Sequence, residues 1–232
     1  MTDKKIYSAL GMIILLLVLA AGLIGSEPVG VLALAAESNI SLDRILDRLE
    51  KRYTGSSFSA TFIQESTIKA MEISDHASGK VYVRHPGMMR WEYEKPDRQI
   101  IITDGFKLWI YRPDDNQVMT GGAPAFFSDG KGASFLSDIK IIRQKFDISL
   151  LPPDNDIFYE LKMVPLEKTL DVADIQVSIS KNTFNIARVT TNNFYGDKTR
   201  IEFLNTRFKT MLDDALFSFE IPEGVDVLQL DK

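Results

Sequence analysis

Residues 78–120 constrain the fold most, because short β-rich runs alternate there with turn residues. The turn residues are His-Pro-Gly at 85–87, Lys-Pro-Asp at 95–97, Asp-Gly at 104–105 and Pro-Asp-Asp-Asn at 113–116. Proline presets one turn dihedral, and glycine or asparagine accepts the positive φ that tight connections need. Asp104-Gly105 separates Ile-Ile-Ile-Thr from Leu-Trp-Ile-Tyr, which is a strong hairpin signal. This stretch therefore predicts an antiparallel meander.

Period-two alternation predicts that one face of this sheet is apolar. After Pro86-Gly87, an apolar set shares one side of the strand and a mostly charged set shares the other. The first set is Met89, Trp91 and Tyr93, and the second is Met88, Arg90, Glu92 and Glu94. Phe58, Ala60 and Phe62 likewise share one face of an earlier strand. Such alternation is typical of an antiparallel sheet with one solvated face.

A helix is predicted at residues 41–53. Ser41 is an N-cap candidate and Asp43 lies in the first turn. An apolar stripe with helical spacing follows, formed by Leu42, Ile45, Leu46 and Leu49. A stripe of this kind is either a core seam or the lining of a ligand site.

Residues 121–137 contain enough glycine and proline to prevent a regular strand, and yet they carry large apolar side chains. These are Phe126, Phe127, Phe135 and Leu136. Apolar residues on a loop indicate a lid over an apolar cavity, or a plug that packs permanently onto the sheet. A short helix is predicted at 134–140, with Ser134 as its cap.

Strand patterns resume at 158–164, 174–180, 186–195, 199–207 and 216–221, while 75–79 is predicted to be a turn. Strands without alternating helices argue against a Rossmann-type or βα-barrel enzyme. The prediction is a β-rich domain spanning residues 40–232. The apolar face of its sheet must be covered, and the cover leaves either a cavity for a hydrophobic ligand or a fully packed core. The sequence favours neither interpretation over the other.

Composition excludes several classes of function. The net charge of −5 argues against nucleic-acid binding, which needs a basic surface. The absence of cysteine excludes disulfides, thiolate metal sites, cysteine nucleophiles and acylation of the chain at a lipobox. The two histidines have no metal-binding or nucleophile motif around them. The sequence therefore predicts that the protein is not an enzyme and that it has no cofactor or metal site.

Residues 1–35 have the pattern of a signal peptide. Lys4 and Lys5 precede an apolar run at 9–24, and Ala33-Leu34-Ala35 has the small residues that a signal peptidase reads, with cleavage near Ala35 or Ala36. The apolar run is shorter than the roughly 20 residues that span a bilayer, which favours cleavage over an uncleaved anchor. Either outcome predicts an exported protein.

Several motifs, in order along the chain, resemble the outer-membrane lipoprotein carrier protein (LolA) family. They are VRHPGMMRWEY from Val83, KPDRQIIITDGFKLWIYRP from Lys95, FSATFIQE from Phe58 and LFSFEIPEGVDV from Leu216. The resemblance implies a mainly β fold: an unclosed antiparallel half-barrel, with an N-terminal helix and a helical or loop lid over a hydrophobic cavity.

The resemblance further implies a monomeric periplasmic chaperone that makes and breaks no covalent bond. Its cargo would be acylated lipoproteins, received from an inner-membrane ABC lipoprotein-releasing transporter and passed to an outer-membrane receptor. The rival hypothesis is a lipid- or lipoprotein-sensing regulatory domain with the same half-barrel fold. A hydrolase would need a clustered nucleophile and base, which the sequence does not supply.

The resemblance also predicts site residues. The acyl-chain cavity would be lined by Leu46, Leu49, Phe62, Met89, Trp91, Tyr93, Phe135 and Leu136. The family commonly has an arginine just before the strand-ending proline, where it bonds lid carbonyls, but this chain has His85 there. His85 would act as a weaker, pH-sensitive latch, or Arg84 or Arg90 would take the role, or there is no latch.

Overall fold

The strands of this protein pair side by side in one sheet. The computed structural model describes residues 40–123, 136, 139–167, 171–209 and 211–230. The predicted signal peptide at 1–35, Phe135 and most of the predicted lid lie outside the described residues, and so does most of the helix predicted at 134–140.

Twelve strands and two helices are described. The strands are β1 (Ser57–Ile68), β2 (Ile73–Arg84), β3 (Met88–Lys95), β4 (Gln99–Asp104), β5 (Lys107–Arg112), β6 (Gln117–Gly122), β7 (Phe146–Leu150), β8 (Phe158–Pro165), β9 (Asp174–Ser180), β10 (Ile186–Asn192), β11 (Lys198–Lys209) and β12 (Asp226–Gln229). The helices are α1 (Leu42–Tyr53) and α2 (Ile141–Lys145), and 3₁₀ turns occupy Lys69–Met71 and Asp214–Phe217.

The sheet joins two antiparallel meanders, β1 to β6 and β7 to β11. The strand order is β12-β6-β5-β4-β3-β2-β1-β11-β10-β9-β8-β7, so β1 pairs with both β2 and β11. Strand β12 adds in parallel to β6, and the sheet ends at β12 and β7 without closing. The predicted mainly β, unclosed antiparallel fold with an N-terminal helix is confirmed.

Local turn chemistry predicted the β4–β5 hairpin correctly. Strand β4 ends at Asp104, whose carboxylate accepts hydrogen bonds from the backbone N–H groups of Phe106 and Lys107 at 2.8 and 2.7 Å. Gly105 has φ of +97°, a conformation that side chains with a Cβ rarely adopt. The Asp-Gly pair therefore reverses the chain where the sequence predicted.

The turn predicted at 75–79 is wrong, because these residues lie within β2. The β1–β2 ladder continues as far as the pair Ile68 and Ile73, and the reversal occurs at the 3₁₀ turn Lys69–Met71. Glu72 completes this reversal with φ of +55°. Regular pairing over the whole of β1 outweighs the low strand propensity of Ser-Asp-His-Ala-Ser-Gly.

The strand predicted at 216–221 is also wrong, because the segment begins with the 3₁₀ turn Asp214–Phe217 and continues without strand pairing. The Asp213 carboxylate accepts a hydrogen bond from the Ala215 N–H at 3.0 Å and so caps the turn. The carbonyl oxygens of Leu212 and Leu216 accept from arginine side chains. These partners replace a strand ladder.

Helix α1 forms as predicted. The Ser41 side chain accepts a hydrogen bond from the Arg44 N–H, and the side chains buried against the sheet are Ile45, Leu46, Leu49 and Tyr53. Burial of an aliphatic side chain contributes about 1.5–3 kcal/mol, so this stripe is the main force holding the helix on the sheet.

Tyr53 anchors the C-terminal end of α1. Its hydroxyl accepts a hydrogen bond from the Ile186 N–H of β10 at 2.8 Å, and its ring meets Phe58 and Phe208 edge-on at 5.4 and 5.1 Å. Burial raises the pKa of Tyr53 above its usual value. One side chain thus ties α1 to β1, β10 and β11.

Arg143 of α2 holds the solvent-facing side of α1. Its guanidinium meets the carboxylates of Asp43, Asp47 and Glu50 at 3.1, 2.5 and 2.6 Å. Like charges spaced three and four residues apart on a helix repel each other, and the arginine offsets this repulsion. The four side chains form the α1–α2 clamp.

Replacement of Tyr53 by phenylalanine should lower the free energy of unfolding at neutral pH by about 1–3 kcal/mol, because the Ile186 N–H loses its acceptor. Above about pH 10 the unfolded chain ionises its tyrosine while the folded chain resists ionisation. The difference in free energy of unfolding between the native protein and the Tyr53→Phe variant should therefore decrease as the pH rises above about 10. Urea unfolding from pH 7 to 11 measures both effects. Tyr195→Phe, at an exposed hydroxyl, is the control; an equal loss there would contradict the anchoring role.

Replacement of Arg143 by methionine should destabilise the protein by about 1–2 kcal/mol, since three partly exposed ion pairs are lost together. Added salt screens these charges, so it should reduce the difference in free energy of unfolding between the native protein and the variant. Amide hydrogen exchange should accelerate in α1 more than in β1. Arg98→Met, which removes one exposed ion pair with Asp114, is the matched control and should leave α1 protection unchanged.

Candidate functional site

The inward face of the sheet carries the site that the sequence predicted, and strand register arranges it in rows. One row crosses Phe208, Phe58, Val83 and Met89. The next crosses Ala60, Val81, Trp91, Ile101 and Ile110. A third crosses Phe203, Phe62, Gly79 and Tyr93. Because side chains alternate between faces, register alone brings residues from distant strands together.

Aromatic side chains form the centre of this face. The Phe62 ring lies 4.9 Å from the rings of both Trp91 and Tyr93, in edge-on geometry. The ring centroids of Phe203, on β11, and Trp91 lie 6.0 Å apart. Trp91 is only 4% exposed. We call Phe62, Trp91, Tyr93 and Phe203 the aromatic centre.

Two segments cover the aromatic centre and its neighbours. Helix α1 supplies Leu46 and Leu49, and the segment before and within α2 supplies Leu136, Ile139 and Ile142. All five side chains are buried in the same apolar cluster as Trp91. The cover is therefore built from two short pieces of chain, which the α1–α2 clamp joins on their outer side.

The structure brings most of the predicted cavity residues together. Leu46, Leu49, Phe62, Met89, Trp91 and Leu136 are buried in one cluster, and Tyr93 packs against it. Phe135 lies outside the described residues. Their role in binding acyl chains stays a prediction, since the described side chains pack against one another.

Phe203, Ile139 and Ile142 are among the members of this cluster that no sequence pattern had singled out as site residues. Phe203 alternates with Ile201 in the predicted strand 199–207, so period-two spacing could have indicated it. Ile139 and Ile142 follow a glycine-rich segment without a clear period, and no local signal shows which way they face.

Two latch candidates, Arg84 and Arg90, alternate with inward-facing residues and contact the C-terminal segment. Arg84 pairs with Asp214 at 2.6 Å, donates to the Leu212 carbonyl and lies 4.8 Å above the Phe217 ring. Arg90 pairs with Glu92 at 2.6 Å and donates to the Leu216 carbonyl at 3.4 Å. Their described partners thus hold residues 212–217 against the face opposite the aromatic centre.

The third latch candidate, His85, lies beside the end of α1. Its ring is edge-on to Tyr53 at 6.2 Å, and its backbone N–H donates to the Ser56 carbonyl at 3.3 Å. Pro86 follows through a cis peptide bond. This position links the β2–β3 turn to α1, and a latch role for any of the three residues stays a prediction.

Beyond Tyr93 the inward face becomes polar. The Tyr93 hydroxyl donates to the Gln64 side-chain carbonyl at 3.0 Å, and burial raises the pKa of Tyr93 to about 12. An open pocket of about 560 Å³ lies at this end of the sheet. Its lining residues are Gln64, Tyr93, Lys95, Pro96, Asp97, Arg98, Gln99, Arg112, Asp114 and Asp115. We call it the polar pocket.

Two further observations concern metals and membranes. Across the described ranges, no group of three or more histidine, aspartate or glutamate side chains is arranged to hold a metal ion. No helix in the described part of the chain is long and apolar enough to cross a bilayer.

Comparison with known proteins identifies the family. The family model described as "Outer membrane lipoprotein carrier protein LolA" matches residues 54–220. The outer-membrane lipoprotein carrier protein of Chromobacterium violaceum is 32% identical over 173 residues, which cover 75% of this chain and 81% of that protein. The protein of the same name from Coxiella burnetii (strain RSA 331) is 29% identical over 203 residues, covering 86% and 90%.

The fold has a relative among solved structures. A crystal structure of an uncharacterized conserved protein from Thermus thermophilus superposes with a TM-score of 0.54 at 16% identity. The match covers 81% of this chain and 98% of that one, and at this identity it shows the fold alone. Because the family model spans well over half of the sequence, this chain belongs to the outer membrane lipoprotein carrier protein (LolA) family.

Proposed function

We propose that this protein is a periplasmic chaperone that binds the acyl chains of lipoproteins released from the inner membrane and carries them to the outer membrane. The observation that carries the proposal is the covered apolar face in a chain of this family, with the aromatic centre buried together with side chains of α1 and with Leu136, Ile139 and Ile142. Relatives named outer-membrane lipoprotein carrier proteins match most of the chain.

The physical basis of the proposal is an exchange of apolar contacts. Leu46, Leu49 and Leu136 are buried in one cluster with the apolar side chains of the sheet. Burial of each methylene group of an acyl chain contributes about 0.8 kcal/mol of favourable free energy. Burial of acyl chains can therefore offset the free energy that is lost when these leucines leave the sheet. Binding then requires the cover to move outward, and release requires it to return.

No covalent chemistry enters this role. The cargo is held by burial of apolar surface, and transfer follows the relative affinities of successive partners. The partners proposed are an ABC lipoprotein-releasing transporter of the inner membrane and a receptor at the outer membrane. We expect the carrier to be monomeric, because a net charge of −5 opposes self-association.

The two tryptophans allow a direct test of the acyl-chain site. Trp91 lies in the aromatic centre, whereas Trp109 alternates to the opposite face and contacts Phe219 at 6.5 Å. In the Trp109→Phe variant, a brominated fatty acid should quench most of the remaining Trp91 fluorescence, because bromine quenches only on contact. In the matched Trp91→Phe variant, the remaining Trp109 should keep nearly all its emission. Equal quenching of both would contradict binding at the inward face.

A second test identifies the cargo. The full chain, purified from the periplasm, should carry triacylated lipoproteins at one to one, detected by mass spectrometry. The Trp91→Glu variant should carry much less, because a carboxylate facing acyl chains is costly to bury, and circular dichroism checks that its sheet persists. Trp109→Glu is the control for added charge. Recovery of phospholipid alone would instead support the lipid-sensing alternative.

A further inference from the structure

The polarity of the inward face changes abruptly along the strands. On β1 the inward positions run from Phe58, Ala60 and Phe62 to Gln64, and on β3 they run from Met89 and Trp91 to Tyr93. The pair of Tyr93 with Gln99 on β4 continues the polar end. Tyr93 stands at the boundary, since its ring contacts Phe62 while its hydroxyl bonds Gln64.

The polar pocket therefore continues the apolar face without a break. Tyr93 and Gln64 line the pocket, and the Tyr93 ring belongs to the aromatic centre. A molecule with an apolar tail beneath the cover would place its polar end in this pocket. The surface fits an amphipathic ligand in one defined orientation.

The charges of the polar pocket balance. Three cationic side chains line it, Lys95, Arg98 and Arg112, together with the carboxylates of Asp97, Asp114 and Asp115. Arg98 is paired with Asp114 at 2.6 Å, and Arg112 donates to Gln99 at 3.2 Å with Asp115 at 3.9 Å. The hydrogen bond from Arg98 holds the pKa of Asp114 below its usual value, so this carboxylate is ionised at neutral pH.

These features select against an anionic head group. A phosphate would meet three carboxylates and would compete with them for the arginines. A peptide backbone has hydrogen-bond donors and acceptors but no net charge. Side-chain amide and carboxylate oxygens of the pocket can accept from its N–H groups, and side-chain amide N–H groups can donate to its carbonyls. The volume of about 560 Å³ is sufficient for several residues of extended chain.

We propose that the polar pocket binds the first residues of the peptide that follows the acylated terminus of a lipoprotein, so that the protein recognises a lipopeptide rather than a phospholipid. Gln64 and Gln99 would bond backbone amides, and Arg112 would bond a backbone carbonyl. The inference rests on the proposed acyl-chain site and adds to it a second site, which selects cargo by its polar end.

The test compares three ligands by displacement of a fluorescent fatty acid from the full chain. They are a triacylated cysteine bearing a short uncharged Ser-Gly peptide, the same triacylated cysteine as its methyl amide, and phosphatidylglycerol. The peptide-bearing ligand should bind about tenfold more tightly than the methyl amide, which corresponds to one or two net hydrogen bonds. Phosphatidylglycerol should bind more weakly than both.

The Gln99→Leu/Arg112→Leu double variant should lose most of the tenfold preference, with only the contribution of Gln64 remaining, and leave methyl amide binding unchanged. Both partners of the Gln99–Arg112 hydrogen bond are removed together, so neither of them is left unpaired, and Asp115, which loses its 3.9 Å contact with Arg112, is exposed to solvent. Lys107→Gln, an exposed charge change at the other end of β5, is the matched control and should keep the preference. Thermal unfolding of each variant confirms that it is folded.

Each other outcome overturns a different statement. Equal affinity for the peptide-bearing ligand and the methyl amide would overturn peptide recognition while leaving the acyl-chain site intact. Tighter binding of phosphatidylglycerol would assign the pocket to phosphate head groups and overturn the inference. Failure of all three ligands to displace the fatty acid would overturn both the proposed function and this inference.

Discussion

The pairing of β1 with β11 is the interaction on which the rest of this structure depends. These strands are far apart in sequence, and they join the meander β1 to β6 with the meander β7 to β11 in one sheet. The register places Phe203 opposite Phe62, which completes the aromatic centre. A slip by one residue would turn Phe58, Ala60 and Phe62 to the other face. The covered face and its cover both depend on this register.

The cover is held by forces of different strength. Apolar burial of Ile45, Leu46 and Leu49 dominates, at about 1.5–3 kcal/mol each, while the ion pairs of the α1–α2 clamp contribute about 1–2 kcal/mol together. At the C-terminal end of α1, Tyr53 adds the hydrogen bond that its hydroxyl accepts from the Ile186 N–H, a directional contact that apolar burial does not supply. The C-terminal end of α1 is therefore held by apolar burial and a buried hydrogen bond, and its N-terminal end by the ion pairs of the α1–α2 clamp.

Much of the local structure followed from the sequence. The Asp104-Gly105 hairpin, helix α1 and the two-faced strand β3 were predicted because each depends on neighbouring residues alone. Two predictions failed where long-range contacts overrode local propensity. Residues 75–79 extend β2 because β1 pairs along them, and residues 214–217 form a 3₁₀ turn whose flanking carbonyls meet Arg84 and Arg90.

The sequence by itself determined which residues have an apolar side and which turns reverse the chain, because side-chain period and turn dihedrals are local properties. It also indicated most of the inward face, including Met89, Trp91 and Tyr93. Only the tertiary structure decided that Phe203 meets Trp91, that Arg143 gathers three carboxylates of α1, and that polar residues of β1, β3, β4 and β5 share one pocket. These contacts join residues far apart in the chain, and strand register, which no local pattern encodes, brings most of them together.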